Sequence, residues 1–388
     1  MTKILIVFFC ISIVMPIYTY VLYPVILFVF KKKQYIVDDE YCPKVSVIIA
    51  AYNEEKEIAN RIVNLTKLDY PQDKLEFLVG SDGSTDRTNE IVSKMVSDID
   101  NLKFFVCERG GKVSVLNTLL ENATGEIVVF SDANTEFDSL CIKNIVRNFT
   151  DKRIGCVSGQ VRLKVDINSG EGAVSEGIYW RYENIVKKLE SRIGRLSGAN
   201  GPVYAIRKEL CSKIKKGVIN DDFYVSTYVL QSGYDVIMDV NAVAFEKPND
   251  DFKSQFKRHI RDGAGHYQAL TIFKRMLLPR KGSFVYVSHR VIKWLVPFCL
   301  IVLLVTNAIL SFKYIFFKYL FIVHLAMYFV LILYGFISMK LRNNKNILTR
   351  LIGIIYYFIS VNLALFIGFI KYITGKQGAV WETQREDV

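Results

Sequence analysis

The feature that most limits what this chain can fold into is residues 4 to 30, ILIVFFCISIVMPIYTYVLYPVILFVF, a run without one charged side chain. At 1.5 Å of helical rise per residue, about 20 such residues cross the hydrocarbon core of a bilayer. The run is too long for the apolar core of a cleaved signal peptide, no small-residue cleavage site follows it, and KKK at 31–33 marks a cytoplasmic end. Three more apolar segments close the chain, at about 291–311, 315–338 and 347–370, with short basic loops between them. A multi-pass protein of the cell membrane is expected, with one N-terminal and about three C-terminal transmembrane helices. Lys340, Arg342, Lys345 and Arg350 outnumber Lys313 and Lys318. That asymmetry places 31–290 and the 340–350 loop in the cytoplasm and both termini outside.

The formal charge of +12 raises the question of nucleic acid. Much of the basic excess, however, flanks apolar segments, as in RKGSFVYVSHRVIK, so membrane lipids with anionic headgroups are the expected partner and nucleic acid is not. The seven cysteines show no CxxC spacing, which fits a cytosolic domain with reduced thiols and not a zinc site.

Between the first and second membrane segments, short apolar runs alternate with helical patterns. The runs are VSVIIAAYN (45–53), LEFLVGSDGS (75–84), LKFFVCE (102–108) and EIVVFSDAN (126–134). Such alternation predicts an α/β domain with a mostly parallel sheet, whose ligands bind beyond the carboxyl ends of the strands. Polar residues stand at three of those ends: Asn53 and Glu54, then Asp82, then Asp132 and Asn134. A dinucleotide fold would carry GxGxxG after its first strand, but the chain reads AAYNEEKEI there, and no GxxxxGK[ST] loop occurs. Acidic groups that bind a nucleotide imply a bridging divalent cation, because bare carboxylates repel a diphosphate. On their own, Asp132 and Asn134 also fit a plain turn, since both residue types form turns readily.

Seven stretches follow one another in order: AAYNEE, GSDGSTDRT, RGGKVSVLN, SDANT, GANGPVYAIR, NDDF and QFKRH. Set between membrane segments, this series resembles the membrane-embedded family 2 glycosyltransferases, relatives of the hyaluronan, chitin and cellulose synthases, from about Val45 to His266. The resemblance implies a GT-A-like domain that binds a nucleotide-sugar, a UDP-sugar in those relatives, with Asn53 and Glu54 beside the donor. It implies that Asp82 contacts uracil or ribose and that Lys112 lies near the nucleotide. Asp132 matches the first carboxylate of the DxD motif, which holds Mg²⁺ or Mn²⁺ and the sugar diphosphate. The third place of that motif is Asn134, whose amide oxygen ligates such a cation but brings no charge.

The same resemblance makes Asp221 and Asp222 the acidic base motif, with Asp222 taking the acceptor proton, although acids also favour helix starts for electrostatic reasons. QFKRH matches QxxRW, which puts Arg258 on the diphosphate and Gln255 and His259 at the acceptor. His259 stands where tryptophan is expected, and that departure bears against processive polymerisation.

In EGIYWRYENIVKKLESRIG, Ile178, Tyr182, Ile185, Leu189 and Ile193 recur at helical spacing, with Glu183 and Lys187 as an i,i+4 pair. The helix packs on the catalytic domain or lies in the membrane interface beside the acceptor path, and Trp180 fits either arrangement. WETQR at 381–385 is similar to a gating segment of hyaluronan synthases. Such a segment reaches the cytosolic site only if one C-terminal segment lies in the interface or re-enters.

The expected organisation is a transmembrane helix and linker in 1–40, a cytosolic glycosyltransferase domain in 41–282 and a C-terminal membrane domain in 283–388. The expected function is inverting transfer of a sugar from a nucleotide-sugar donor to a growing polysaccharide or another glycan or lipid-linked acceptor. Single transfer to a lipid carrier is the alternative. A nucleotide-sensing transporter or channel is the rival of another class, and against it no acidic residue lies within the four apolar segments.

Overall fold

The computed structural model describes residues 1–164, 171–247, 252–338 and 347–378. Helices α1 (Thr2–Ile17) and α2 (Tyr23–Val29) join through a π-helical turn into one apolar rod. The four apolar spans are Thr2–Val29, Ser283–Ser311, Ile315–Gly335 and Leu351–Ile373, each long and apolar enough to cross a membrane.

Eight strands form one sheet: β1 (Val45–Ala51), β2 (Leu75–Asp82), β3 (Leu102–Cys107), β4 (Ile127–Asp132), β5 (Glu136–Phe137), β6 (Ile154–Leu163), β7 (Tyr204–Arg207) and β8 (Asp235–Glu246). Their order is β3-β2-β1-β4-β7-β6-β8-β5. The first four run parallel, β7 is antiparallel to both β4 and β6, and β6 is again parallel to β8. Every residue of β1 is buried, as expected for a strand covered on both faces, which reads as a continuous apolar run.

Side chains alternate across a strand, so β1 feeds two cores. Val45, Val47 and Ile49 meet α3 (Ile58–Thr66), α4 (Thr88–Val96) and α6 (Cys141–Val146). Ile48 and Ala50 meet α5 (Lys112–Asn122), and that second core extends through α8 (Asp221–Gln231) and α9 (Phe252–Ile272) to Trp294 of α11 (Ile292–Ser311). Gly80 of β2 lies under α5, where any side chain would collide with Val115. Glu76, 4% exposed, crosslinks the strand edges: its carboxylate accepts hydrogen bonds from Ser46 Oγ (2.5 Å), Thr124 N–H (2.5 Å) and Lys103 Nζ (3.1 Å).

The two membrane linkers meet this domain at a shared carboxylate. Lys33, just after the first span, and Lys281, just before the second, both pair with the buried Asp235 at 2.8 Å. The helix α7 (Glu171–Arg192) packs Val186, Leu189 and Ile193 on Tyr23 and Leu27 of α2 and on Val285 of the short helix α10 (Ser283–Val285). It therefore touches both the sheet domain and the membrane rods.

The periodicity argument misplaced two features of this helix. Ile185, assigned to the apolar stripe, is 55% exposed. Glu183 and Lys187, expected as a mutual i,i+4 pair, are both buried and bind groups from other elements: Lys293 reaches Glu183 at 2.5 Å, and Lys187 hydrogen-bonds Asn200. Spacing along one helix shows which residues share a face, not what covers that face.

The last two helices are α12 (Ile315–Ser338) and α13 (Ile347–Ile373). The second half of α13 runs along α9. Gly263 faces Leu365, Gly368 faces the Ile260 carbonyl, and Thr271 Oγ1 meets Tyr372 Oη at 3.2 Å. Gly378, just beyond, lines the same cleft as Asp132. The expectation that both termini lie outside is thereby corrected, because the last described residues return to the side of the sheet domain. Apolarity alone does not separate a crossing helix from one that follows α9. The WETQR segment falls outside the described residues.

Candidate active site

The chain leaves β1 toward β2 on one side, while β4 faces β7 on the other. At such a reversal the carboxyl ends of the strands open a crevice. Asn53, directly after β1, has φ +51°, a left-handed conformation that asparagine tolerates better than most residues. Its side-chain oxygen accepts the Thr85 N–H (2.9 Å), and its own N–H donates to Ser84 Oγ (3.1 Å). Asn53 thus ties the two strand-end loops together. Glu54 donates its backbone N–H to Thr88 Oγ1 (2.8 Å) and lines the cleft.

Asp82, at the end of β2, is fully buried. Its carboxylate accepts the N–H groups of Gly110 (2.8 Å) and Gly111 (2.9 Å), leading into α5, and pairs with Arg109. The Arg109 guanidinium lies 3.3 Å from the centre of the Tyr52 ring. A carboxylate, a planar cation and an aromatic face are therefore layered at one edge of the crevice. Sequence reasoning named Asp82 but missed Tyr52 and Arg109, whose signal was their place within AAYNEE and RGGK.

Lys112 is the first residue of α5. Its ammonium stands 2.8 Å from Asp132 Oδ1 and 3.4 Å from Asp221 Oδ2. Burial opposes its charge, but Asp132, Asp221 and Asp222 outweigh burial and hold its pKa well above the ordinary lysine value. Around it opens a cleft of about 210 Å³ lined by Glu54, Lys112, Asp132, Asn134, Asp221 and Arg261, among others. Asp132 and Asn134 thus line one space. Carboxylate and amide oxygens are the hard donors that Mg²⁺ and Mn²⁺ take, so the donor set fits such a cation.

Asp221 and Asp222 begin α8, where the helix dipole favours negative charge. They face different surroundings. Asp221 points into the cleft toward Lys112, whereas Asp222 lies beside Gly201, where a Cβ would stand 3.1 Å from its Oδ2. Burial and the adjacent Asp221 push Asp222 up to about 6, against the pull of Lys112.

On α9 the structure separates the residues of QFKRH. Gln255 is buried, and His259 Nε2 meets Tyr357 Oη of α13 at 3.2 Å. Burial lowers His259 to about 4, so the ring is neutral near pH 7. Arg258 is half-buried near the carboxylates of Glu246 and Asp262, and the arginine that lines the cleft is Arg261, one turn further on. Trp180 is half-buried on α7. Glu246, at the end of β8, was not foreseen. It accepts a weak hydrogen bond from Thr135 (3.4 Å) and is pushed up to about 7 by burial and by the charge of Asp132.

The model of the Glycosyl transferase family 2 matches residues 46–213, which contain β1, β2, β4 and the carboxylates at their ends. The chain carries a family 2 glycosyltransferase domain. Among curated proteins, the probable glycosyltransferase YdaM of Bacillus subtilis is 26% identical over 244 residues, 60% of this chain and 57% of its own length. The poly-beta-1,6-N-acetyl-D-glucosamine synthase of Staphylococcus aureus is 23% identical over 254 residues, 64% of this chain and 61% of its own. A beta-monoglucosyldiacylglycerol synthase of Nostoc is 35% identical over 138 residues, 35% of this chain and 29% of that protein. The chain thus spans less than two thirds of each of these relatives. Among solved structures, the mannosyltransferase PcManGT of Pyrobaculum calidifontis, in complex with GDP-Man and Mn²⁺, superposes with a TM-score of 0.74 at 22% identity. The match covers 97% of this chain and 99% of that one. The GT-A-like fold with flanking apolar helices is therefore shared across nearly the whole chain.

Proposed function

We propose that this glycosyltransferase domain moves a sugar, with inversion, from a nucleotide-sugar bound at the cytoplasmic face to a hydroxyl of a glycan or glycolipid acceptor at the membrane. The observation that carries the reading is Lys112, which touches both Asp132 and Asp221. Through it, the strand-end carboxylate expected on the donor meets Asp221, the first residue of the acidic pair, in one cleft, with Asp222 next to it in the chain. Relatives whose names include polysaccharide and glycolipid synthases support the acceptor class.

In this reading the base of a UDP-sugar lies at Tyr52, Arg109 and Asp82, and its diphosphate near Asp132, Asn134, Arg261 and Arg258. Asp132 and Asn134 would hold Mg²⁺ or Mn²⁺, which when bound supplies positive charge against the diphosphate. Arg261 adds a fixed cation on the same side of the cleft. Asp222 takes the proton of the acceptor hydroxyl. The hydroxyl oxygen bonds to the anomeric carbon as the bond to the diphosphate oxygen breaks, and the nucleoside diphosphate leaves with the electron pair. Asp222 suits the base role better than Asp221, because Asp221 is held by Lys112 while Asp222 titrates near the working pH.

One observation favours short products. The neutral His259 is engaged with Tyr357 at the place where the aromatic acceptor platform is expected, so a long polymer lacks that stacking surface.

Purified protein in nanodiscs, given a panel of UDP- and GDP-sugars with Mn²⁺ or Mg²⁺, tests the function. Nucleoside diphosphate release with one UDP-sugar, abolished by EDTA, is expected, with product length and anomeric configuration read by mass spectrometry and NMR. No turnover with any sugar nucleotide, or a retained anomeric configuration, would overturn the reading.

A further inference from the structure

We propose that Lys187 is a positioning residue that keeps Asp222 ionised, facing it across the Asn200–Gly201 turn and thereby setting the acid limit of the reaction. The inference rests on the assignment of Asp222 as the base.

Lys187 lies on the same face of α7 as Glu183 and Glu190, and its side chain is almost completely enclosed. A lysine is expensive to bury, because the ammonium loses its hydration. Its partner here is neutral: the ammonium hydrogen-bonds the Asn200 side-chain oxygen. Asn200 cannot swing away with it. The Asn200 N–H donates to Ser158 Oγ (2.9 Å) and its side-chain nitrogen to the Gly159 carbonyl (2.7 Å). The next residue, Gly201, packs against Asp222, leaving so little room that a Cβ would touch Oδ2 at 3.1 Å. The turn therefore holds an ammonium on one side and the carboxylate on the other, at a separation that its own rigidity maintains.

The surrounding charges make that ammonium matter. Asp222 is faced by Asp221 from its own helix, by Lys112 from α5 and by Lys187 from α7. Lys112 is already engaged by Asp132 and Asp221, so Lys187 is the cation not shared with the donor side. Lys187 in turn is faced by Glu183 and Glu190 on α7, by Asp222 on α8 and by Arg290 from the membrane side. Burial and Arg290 lower Lys187 to about 8, so it stays charged wherever protonation of Asp222, near 6, would stop the reaction. An opposite charge a few ångströms away lowers a carboxyl pKa by about one unit or more, and Lys187, beyond the Asn200–Gly201 turn, acts on Asp222 in that direction. Loss of the Lys187 charge is therefore expected to raise the acid limb of the rate profile by about one pH unit, with little change well above pH 8.

The test compares wild type with Lys187→Met, Lys187→Gln, Lys187→Arg and Asp222→Asn in the purified full chain. One readout is the pH profile of nucleoside diphosphate release with the UDP-sugar that turns over. The second is an infrared titration of the protonated carboxyl band that disappears in Asp222→Asn, which needs no turnover. Both should move upward together by about one unit in Lys187→Met and Lys187→Gln and stay in place in Lys187→Arg. If the carboxyl titration and the acid limb remain at the wild-type pH in both neutral variants while Asp222→Asn is inactive, the role of Lys187 is refuted and the base assignment stands. Normal turnover by Asp222→Asn would remove the base and the proposal with it.

Discussion

Replacing Lys112 with methionine takes away a side chain that touches both acidic arms of the cleft. Its ammonium is 2.8 Å from Asp132 and 3.4 Å from Asp221, with 19% of the side chain exposed. At an effective dielectric of about 20, each contact carries roughly 5 kcal/mol of Coulomb attraction, most of it offset by lost hydration. Removing one member of such an enclosed network costs about 3 to 5 kcal/mol, because uncompensated carboxylates remain. For a domain of this size, 3 kcal/mol corresponds to a fall in Tm of roughly 6–12 °C. The sign with pH follows from the raised pKa of Lys112. Its contribution is complete below the ordinary lysine value and is lost only as pH rises through the higher folded value, so it is constant between pH 5 and 8 in wild type. In Lys112→Met, by contrast, Asp132, Asp221 and Asp222 repel one another more strongly, with Arg261 and Lys187 left to oppose that repulsion, and protonation on acidification relieves it. The deficit should therefore be largest at pH 7.5 without metal, smaller at pH 5.5, and smaller again when Mn²⁺ is added at pH 7.5. Thermal unfolding in nanodiscs under these three conditions reads the effect. An equal deficit in all three would show that Lys112 acts through packing alone.

Asp222→Asn should leave folding intact, since the N-cap of α8 is Asn220 and the amide has the shape of the carboxylate it replaces, while turnover falls by roughly 10² to 10⁴-fold and UDP affinity stays within a few-fold, as calorimetry would show. In wild type, turnover should decline as pH falls through about 6, where Asp222 takes a proton, and a profile flat from pH 5 to 8 would exclude it as the base. Asn134→Asp should lower the Mn²⁺ concentration for half-maximal binding, measured by the EPR signal of free Mn²⁺, because a second carboxylate adds charge to the donor set. Glu76 is held down to about 2 by Ser46, Thr124 and Lys103 despite its burial. Its stabilisation is therefore present above about pH 4.5 and lost as pH falls through 2, and Glu76→Gln should lower stability by about 3 kcal/mol at pH 7 in chemical unfolding.

Much of the donor side was legible because the strands that carry it advertise themselves. VSVIIAA, LEFLVGSD and EIVVFSD are apolar runs ending in polar residues, and parallel packing brings those ends together at one edge. What stayed hidden depends on contacts between elements distant in sequence. Nothing in QFKRH shows that Arg261, one turn later, lines the cleft. Nothing in YENIVKKLE shows that its charges point inward, because the groups that cover Glu183 and Glu190, namely Lys293 and His289, lie about a hundred residues away at the start of a membrane helix. The course of the C-terminal end relative to the sheet domain stayed hidden for the same reason, since α13 settles on α9 at the glycines 263 and 368.

On the proposed function, the two halves of the acidic pair explain why the site lies where the sheet domain meets the apolar helices. A sugar nucleotide is soluble and highly charged, whereas a glycolipid or membrane-bound glycan arrives along an apolar surface, so one centre has to face two environments. Helix α8 achieves this with adjacent residues: successive side chains of a helix are about 100° apart, so Asp221 turns toward Lys112 and the strand ends while Asp222 turns toward Gly201 and α7. The partner helix α7 is also the element packed on α2 and on Lys293 of α11. A displacement of the membrane rods would therefore act first on the acceptor side of the pair, through Lys187 and the Asn200 turn, and leave the donor side on its parallel strands undisturbed. Binding of the nucleotide and transfer of the sugar are on this account separable by mutation, with changes in α7 altering turnover and changes at the ends of β1, β2 and β4 altering donor affinity.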